Sequence, residues 1–223
     1  SYCTFTDNVA EYGGGIYFNT PAINATITGC HFTLNTASEN GGAIDCNSPA
    51  MNLTYTVFDQ NYGKIGAALC REVNATGGFG RYNNFTYNVA SEAGAALGWV
   101  SAQRINIDHY YFKGNEAGES GGAIYVGQGS GRCVITNSIF EDNYVKNTPG
   151  HGGAIEWYAK EGLVENSTFT NNYADIGGAI YVGSNSGKIN ITGSNFTKNH
   201  AHSTGGAVSL VASAVTINAS NFY

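Results

Sequence analysis

The chain has 223 residues, a formal net charge of -6 and only ten lysines plus arginines, so no basic surface can neutralise a phosphate backbone and nucleic acid is not an expected partner. Its 31 glycines, 3 prolines and 12% charged residues suit short strands joined by tight turns better than long helices. No apolar run approaches the roughly 20 residues that cross a bilayer, and no basic start followed by an apolar stretch marks a signal peptide.

In chain order, the first segment is built around Phe5, which recurs as Phe32, Phe58, Phe85, Phe112, Phe140, Phe169, Phe196 and Phe222, at spacings of 26 to 29 residues. Three residues after each Phe but the last stands an asparagine: Asn8, Asn35, Asn61, Asn88, Asn115, Asn143, Asn172 and Asn199. A glycine block follows, Gly13-Gly14-Gly15-Ile16 in the first unit and Gly41-Gly42-Ala43-Ile44 in the second. It returns at Gly121, Gly152, Gly177 and Gly205, and in the weaker forms Gly66-Ala67-Ala68-Leu69 and Gly94-Ala95-Ala96-Leu97. The last segment carries an aliphatic residue five before the next Phe, at Ile27, Leu53, Ile107, Ile135, Val164, Ile191 and Ile217, with Gly80 as the exception.

Three short segments with alternating polarity cannot close a fold alone, but they form one three-sided coil, and stacking pairs each strand with its successor about 4.8 Å away. The pattern predicts an all-β fold, a right-handed parallel β-helix of about eight coils of 26–29 residues, with 1–223 as a single repeat region of a longer chain. Alternation turns inward the Phe, the residue two before it, the Ile of the glycine block and the residue two after that. Asparagine amides stacked one coil apart are expected to donate and accept along the axis. A leucine-rich or helical solenoid is the alternative, but the glycine density disfavours helix.

The pairing of Phe-x-x-Asn with Gly-Gly-Ala-Ile along the chain resembles the repeats of the chlamydial polymorphic outer membrane proteins (Pmp) and is similar to the adhesin-like surface proteins of methanogenic archaea. The resemblance implies an extracellular β-helical stalk or passenger region with adhesion as its role. In the chlamydial family a membrane β-barrel follows the passenger, and nothing of that kind lies in these residues.

Cys3 and Cys30 hold the same position in consecutive coils, within disulfide reach. Cys46 and Cys70 would meet if their strands slipped by one residue, which would also turn Arg71 out of the core. Cys133 has no partner. The plain alternative is five buried thiols, and metal ligation is not expected without a Cys-x-x-Cys pair. Sequons occur at Asn24, Asn52, Asn74, Asn84, Asn166, Asn190, Asn195 and Asn218, which favours a secreted or cell-surface glycoprotein; Asn195 is the preferred glycan carrier.

Parallel β-helices that act on polysaccharides need two or three carboxylates on adjacent coils. The outward column after Phe holds Asp59 and Glu141 three coils apart, and the outward column after the glycine-block Ile holds Asp45 and Glu156 farther apart still. Glu11, Glu39, Glu92 and Glu119, at the corner before the glycine block, are the only Ca²⁺ candidates, weighed against a solvated acidic ridge. Tyr17, Tyr125, Tyr158 and Tyr181 are outward aromatics suited to sugar stacking or to cross-coil packing. The longest excursion, Val145 to His151, is flanked by Glu141, Asp142 and Glu156 and is the first place to seek a site. The expected function is non-enzymatic: an adhesin-like stalk or structural module that meets a host-cell or matrix protein or glycan. A polysaccharide lyase or hydrolase, or an extracellular fibre built from further copies of itself, are the alternatives.

Overall fold

The computed structural model describes residues 1–19, 24–48, 51–75, 79–100, 103–211 and 214–223. Within them the chain is all-β, without helix, and winds as a parallel β-solenoid of about eight turns. No helix among the described residues is long and apolar enough to cross a membrane. Four parallel sheets run the length of the stack, where three sides were expected. The phenylalanine sheet has nine strands, from Thr4–Thr6 to Asn221–Phe222, and three eight-stranded sheets complete each turn. The additional sheet lies between the asparagine and the glycine block, from Val9–Ala10 to His200–Thr204. Its strands are as short as two residues, and its inward positions are small, with Ala37, Ala90, Ala117 and Ala174 buried. Apart from Val145, its buried inward positions carry none of the bulky apolar residues by which a strand is recognised in sequence.

Three of the corners of every turn contain one residue in the left-handed backbone region. It stands three before each Phe (Tyr55 at φ 52°), one before each ladder asparagine (Tyr87 at φ 53°) and at the first glycine of each block (Gly121 at φ 56°). Bulky residues pay a steric cost there, and the corners repay it along the axis. The amide of Tyr55 donates to the Arg81 carbonyl at 3.2 Å, and that of Tyr87 to the Lys113 carbonyl at 2.9 Å. At the third corner a side chain would overlap the chain itself, since a Cβ on Gly121 would lie 2.2 Å from the Ile124 carbonyl oxygen, so glycine is required.

The asparagines form a continuous buried ladder. In Asn61, Nδ2 donates to Asn88 Oδ1 at 2.9 Å and to the Phe32 carbonyl at 3.0 Å, while its Oδ1 accepts from the Asn35 backbone N–H and from Asn35 Nδ2, both at 3.0 Å. The same arrangement is repeated from Asn35 to Asn172, each fully buried. Both donors and both acceptor sites of each amide are thus used. Beside the ladder the phenylalanine rings stack at every step, with centroids 4.6 to 5.2 Å apart, close to the strand spacing.

The position two before each Phe, read from sequence as inward, is buried from Cys30 to Ser194 and forms a second, largely polar ladder. The amide of Ser138 donates to Ser167 Oγ and that of Ser167 to Ser194 Oγ, both at 3.2 Å, while each hydroxyl donates to the carbonyl two residues back. Cys3 and Cys30 belong to this column. Cys30 Sγ accepts from the Cys3 amide at 3.4 Å and faces the Thr28 carbonyl at 3.5 Å, so the Cys30 thiol does the work of a serine hydroxyl and the expected bridge is not formed. The slip that would join Cys46 to Cys70 is also absent: Cys70 pairs with Asp45, and Cys46 with Arg71. All five cysteines are free. Arg71 is accommodated in the core, 2% exposed, with its guanidinium 5.3 Å from the Trp99 ring centroid. Gly80 breaks the aliphatic column because Tyr110, another member of the second ladder, fills its place; a Cβ on Gly80 would lie 1.5 Å from the tyrosine hydroxyl.

Phe112 lies between Phe85 and Phe140 and is fully buried. Phe112→Ala should cost about 3 to 5 kcal/mol in chemical denaturation, whereas Cys30→Ser, which restores the ladder hydroxyl, should leave the melting transition essentially unmoved. An equal loss in both variants would contradict the division into stacked core and polar ladder.

Candidate functional site

The corner before the glycine block carries the acidic column. Glu39 and Glu92 do not face each other as bare carboxylates, because Lys64 from the coil between them reaches both, at 3.4 and 3.5 Å. Glu11 is exposed at the first coil, and Glu119 approaches Glu92 through the backbone, with its N–H donating to the Glu92 carbonyl at 2.7 Å. One lysine thus offsets part of the charge of this acidic ridge, and among the described residues the four acids do not converge on one point. Of the acids flanking the coil-six excursion, Glu141 is bound away from it by the Tyr111 hydroxyl at 2.7 Å and Lys113 at 3.3 Å, and Asp142 sits at a left-handed corner. Only Glu156 reaches the excursion's inner side.

Glu156 lies on the outward face of the glycine-block sheet, between Tyr125 and Tyr181 in register on the adjoining coils. An outward glutamate on a flat sheet would be solvated, yet this one is 3% exposed. Glu92, Glu119 and His151 stand on one side of it and Gln128 and Tyr158 on the other, enclosing a trough of about 320 Å³ floored by Tyr125 and Glu156. The excursion adds a second hollow of about 760 Å³ lined by Lys146, Asn147, Thr148 and Pro149, sharing Glu119, Ser120 and His151 with the first.

The centre is tightly organised. Glu156 Oε1 accepts from the Tyr158 hydroxyl at 3.2 Å and lies 3.2 Å from His151 Nδ1. The His151 ring stacks on Tyr181 with centroids 4.4 Å apart and 13° between planes, and Tyr158 meets Tyr181 edge-on at 6.4 Å. Gly183 allows this: a Cβ there would fall 1.9 Å from Tyr158 Cε1. Burial pushes the Glu156 carboxyl above its ordinary range, opposed by hydrogen bonds from Ser120, Tyr158 and His151 and by the His151 charge. Burial and the Glu156 charge likewise raise the Tyr125 and Tyr158 hydroxyls. The arrangement offers aromatic faces, one enclosed carboxyl and an imidazole, a set suited to holding a hydroxyl-rich ring.

Of the sequons, Asn24, Asn52, Asn74, Asn84, Asn166, Asn195 and Asn218 are exposed and Asn190 is half-buried. Asn195 Oδ1 accepts from Asn221 Nδ2 at 2.9 Å, and Asn74 Nδ2 donates to Asn47 Oδ1 at 2.9 Å. Tyr17, at 48% exposed, lies far up the axis and takes no part in the trough.

The Chlamydia polymorphic membrane protein (Chlamydia_PMP) repeat matches residues 2–19, 29–47, 110–127 and 166–183, and each match runs from the phenylalanine strand through the asparagine corner to the glycine block. The chain is also similar to metabotropic glutamate receptor-like protein R of Dictyostelium discoideum, 30% identical over 172 residues, which cover 75% of this chain and 10% of that protein. It thus spans about a tenth of that relative's length. No solved structure matches it.

Because the folded Glu156 carboxyl sits above its unfolded value, the folded state binds more protons. Its contribution to stability is full below about pH 4.3, where the unfolded carboxyl is also protonated, and is lost as pH rises through the folded value. Unfolding of the wild type against pH should therefore show a falling arm above about pH 4.3 that Glu156→Gln flattens. Parallel curves for the two proteins would place Glu156 in water.

Proposed function

The chain is a Pmp-type repeat protein, and we propose that it is a surface-displayed, non-enzymatic module that captures glycans in the trough around Glu156, in keeping with an adhesin role. The observation that carries this reading is the enclosure of Glu156 between Tyr125, Tyr158 and His151 on the outward face of the glycine-block sheet. Tyrosine faces bind the apolar side of a sugar ring, and a carboxyl among them accepts from its hydroxyls. The acids around the trough, Glu92, Glu119 and Glu156, disfavour uronic acids, so neutral or amino sugars are the matching class. Binding without turnover is favoured because cleavage of a glycosidic bond needs a cooperating pair of carboxyls. Of the neighbouring acids, Glu92 is ion-paired to Lys64, and Glu119 is exposed at the corner.

The test is a screen of neutral and amino-sugar oligosaccharides on the purified chain, followed by titration of the best binder and chromatography of the recovered sugar. A bound oligosaccharide recovered intact, with affinity falling about tenfold in Tyr125→Ala, is expected. Shortened products would transfer the site to the hydrolase or lyase class. The absence of any bound glycan, or equal binding by Tyr125→Ala and wild type, would overturn the reading.

A further inference from the structure

Three to four coils up the same sheet face lies a second polar group that the trough does not use. We infer that Asp45, Cys70 and Glu72 form a binding site for a thiophilic divalent cation of the zinc class. Asp45 and Cys70 are register partners on adjacent strands, both on the outward face, and Glu72 follows two residues after Cys70. One donor atom from each, a carboxylate oxygen, the thiol sulfur and a second carboxylate oxygen, all lie within 4.8 Å of one another. Among the described residues this is the only group of three or more His, Cys, Asp or Glu side chains so placed.

Convergence of acids alone does not make a site, but Asp45 adds an independent sign. Its side chain is 1% exposed and its Oδ1 has no hydrogen-bond partner, in a fold whose other polar columns are satisfied bond by bond. A buried acid and a half-buried one meet at this point, and among the described residues neither forms an ion pair with a Lys, Arg or His. Arg71, which lies between Cys70 and Glu72, faces the opposite way, into the core beneath Trp99. The group is also held in place: Asn40 Nδ2 donates to Glu72 Oε1 at 2.8 Å, and Cys70 Sγ lies 3.5 Å from the same oxygen. A cation would replace that thiol proton, satisfy Asp45 and keep Asn40 as an outer support for Glu72.

The donor set selects the metal. Calcium and magnesium take oxygen ligands in shells of six or more, and neither favours sulfur. One thiolate with two carboxylates suits zinc and its spectroscopic substitute cobalt, and three protein donors leave a coordination position for an outside ligand.

The purified chain, reduced and stripped of metal, is titrated with Co²⁺ and then with Zn²⁺ against a chromophoric chelator. The expected result is one equivalent of Co²⁺ with a thiolate-to-cobalt charge-transfer band that Zn²⁺ displaces. Cys70→Ser should abolish the band and Asp45→Asn should weaken zinc binding by about tenfold or more, while Cys133→Ser, at a buried thiol elsewhere, should change neither. Circular dichroism of the metal-free proteins confirms that each variant is folded. A wild type that binds no stoichiometric metal, or a band that survives Cys70→Ser, overturns the site. Neither outcome bears on glycan capture at Glu156.

Discussion

Each turn of this solenoid bends at a buried asparagine whose amide gives two hydrogen bonds and accepts two, all directed along the axis or to the adjoining turn. A side chain that serves the coils before and after it fixes their register, because a slip of one residue would strand both donors and both acceptors in a dry interior. The remaining order follows from that constraint. The phenylalanines lie three residues away, so they are brought to a common height and stack at the strand spacing. The left-handed corner beside each asparagine is strained for residues such as Tyr87 and Leu34, yet it is held because its amide donates to the next coil.

A fixed backbone leaves irregular side chains to be absorbed within a turn or between neighbours. Tyr110 fills the place of the side chain missing at Gly80, and Trp157 lies over Gly162, where a Cβ would come within 2.0 Å of its ring. Arg71 enters the core because Trp99 on the next strand offers a ring face, not because the strand slips to expel it. The outer face of the glycine-block sheet varies more freely. Enclosed by the acidic corner on one side and by longer connections on the other, it carries both the aromatic trough at Glu156 and the Asp45, Cys70 and Glu72 group.

Phe5, Asn8, the glycine blocks and Ile27 with their successors made the solenoid legible, since each column reports a position that every turn must repeat. The fourth sheet was not legible, because residues such as Ala37 and Ala117 bury little area and resemble loop. The second ladder was written in the sequence as Ser138, Ser167, Ser194 and Ser220, but alternation reports only that the column faces inward and not its hydrogen bonds, and the shared position of Cys3 and Cys30 suggested a bridge. Glu156 was found by the length of the excursion beside it, whereas its burial came from flanking corners that no column predicts. Asp45 and Cys70 stood next to each other in the outward column; a search for pairs of acids passed over an acid beside a thiol.

The claim that the asparagine ladder sets the register is tested most directly by amide hydrogen exchange in Asn115→Ala. The change removes the acceptor of both the Asn88 backbone N–H and Asn88 Nδ2, and the donor to the Phe85 carbonyl. The account predicts fast exchange at Asn88 and along the turns on either side, with a loss of about 3 kcal/mol or more in global stability. Unchanged protection at Asn88 and an unshifted unfolding transition would show that the stacked phenylalanines alone hold the coils in register.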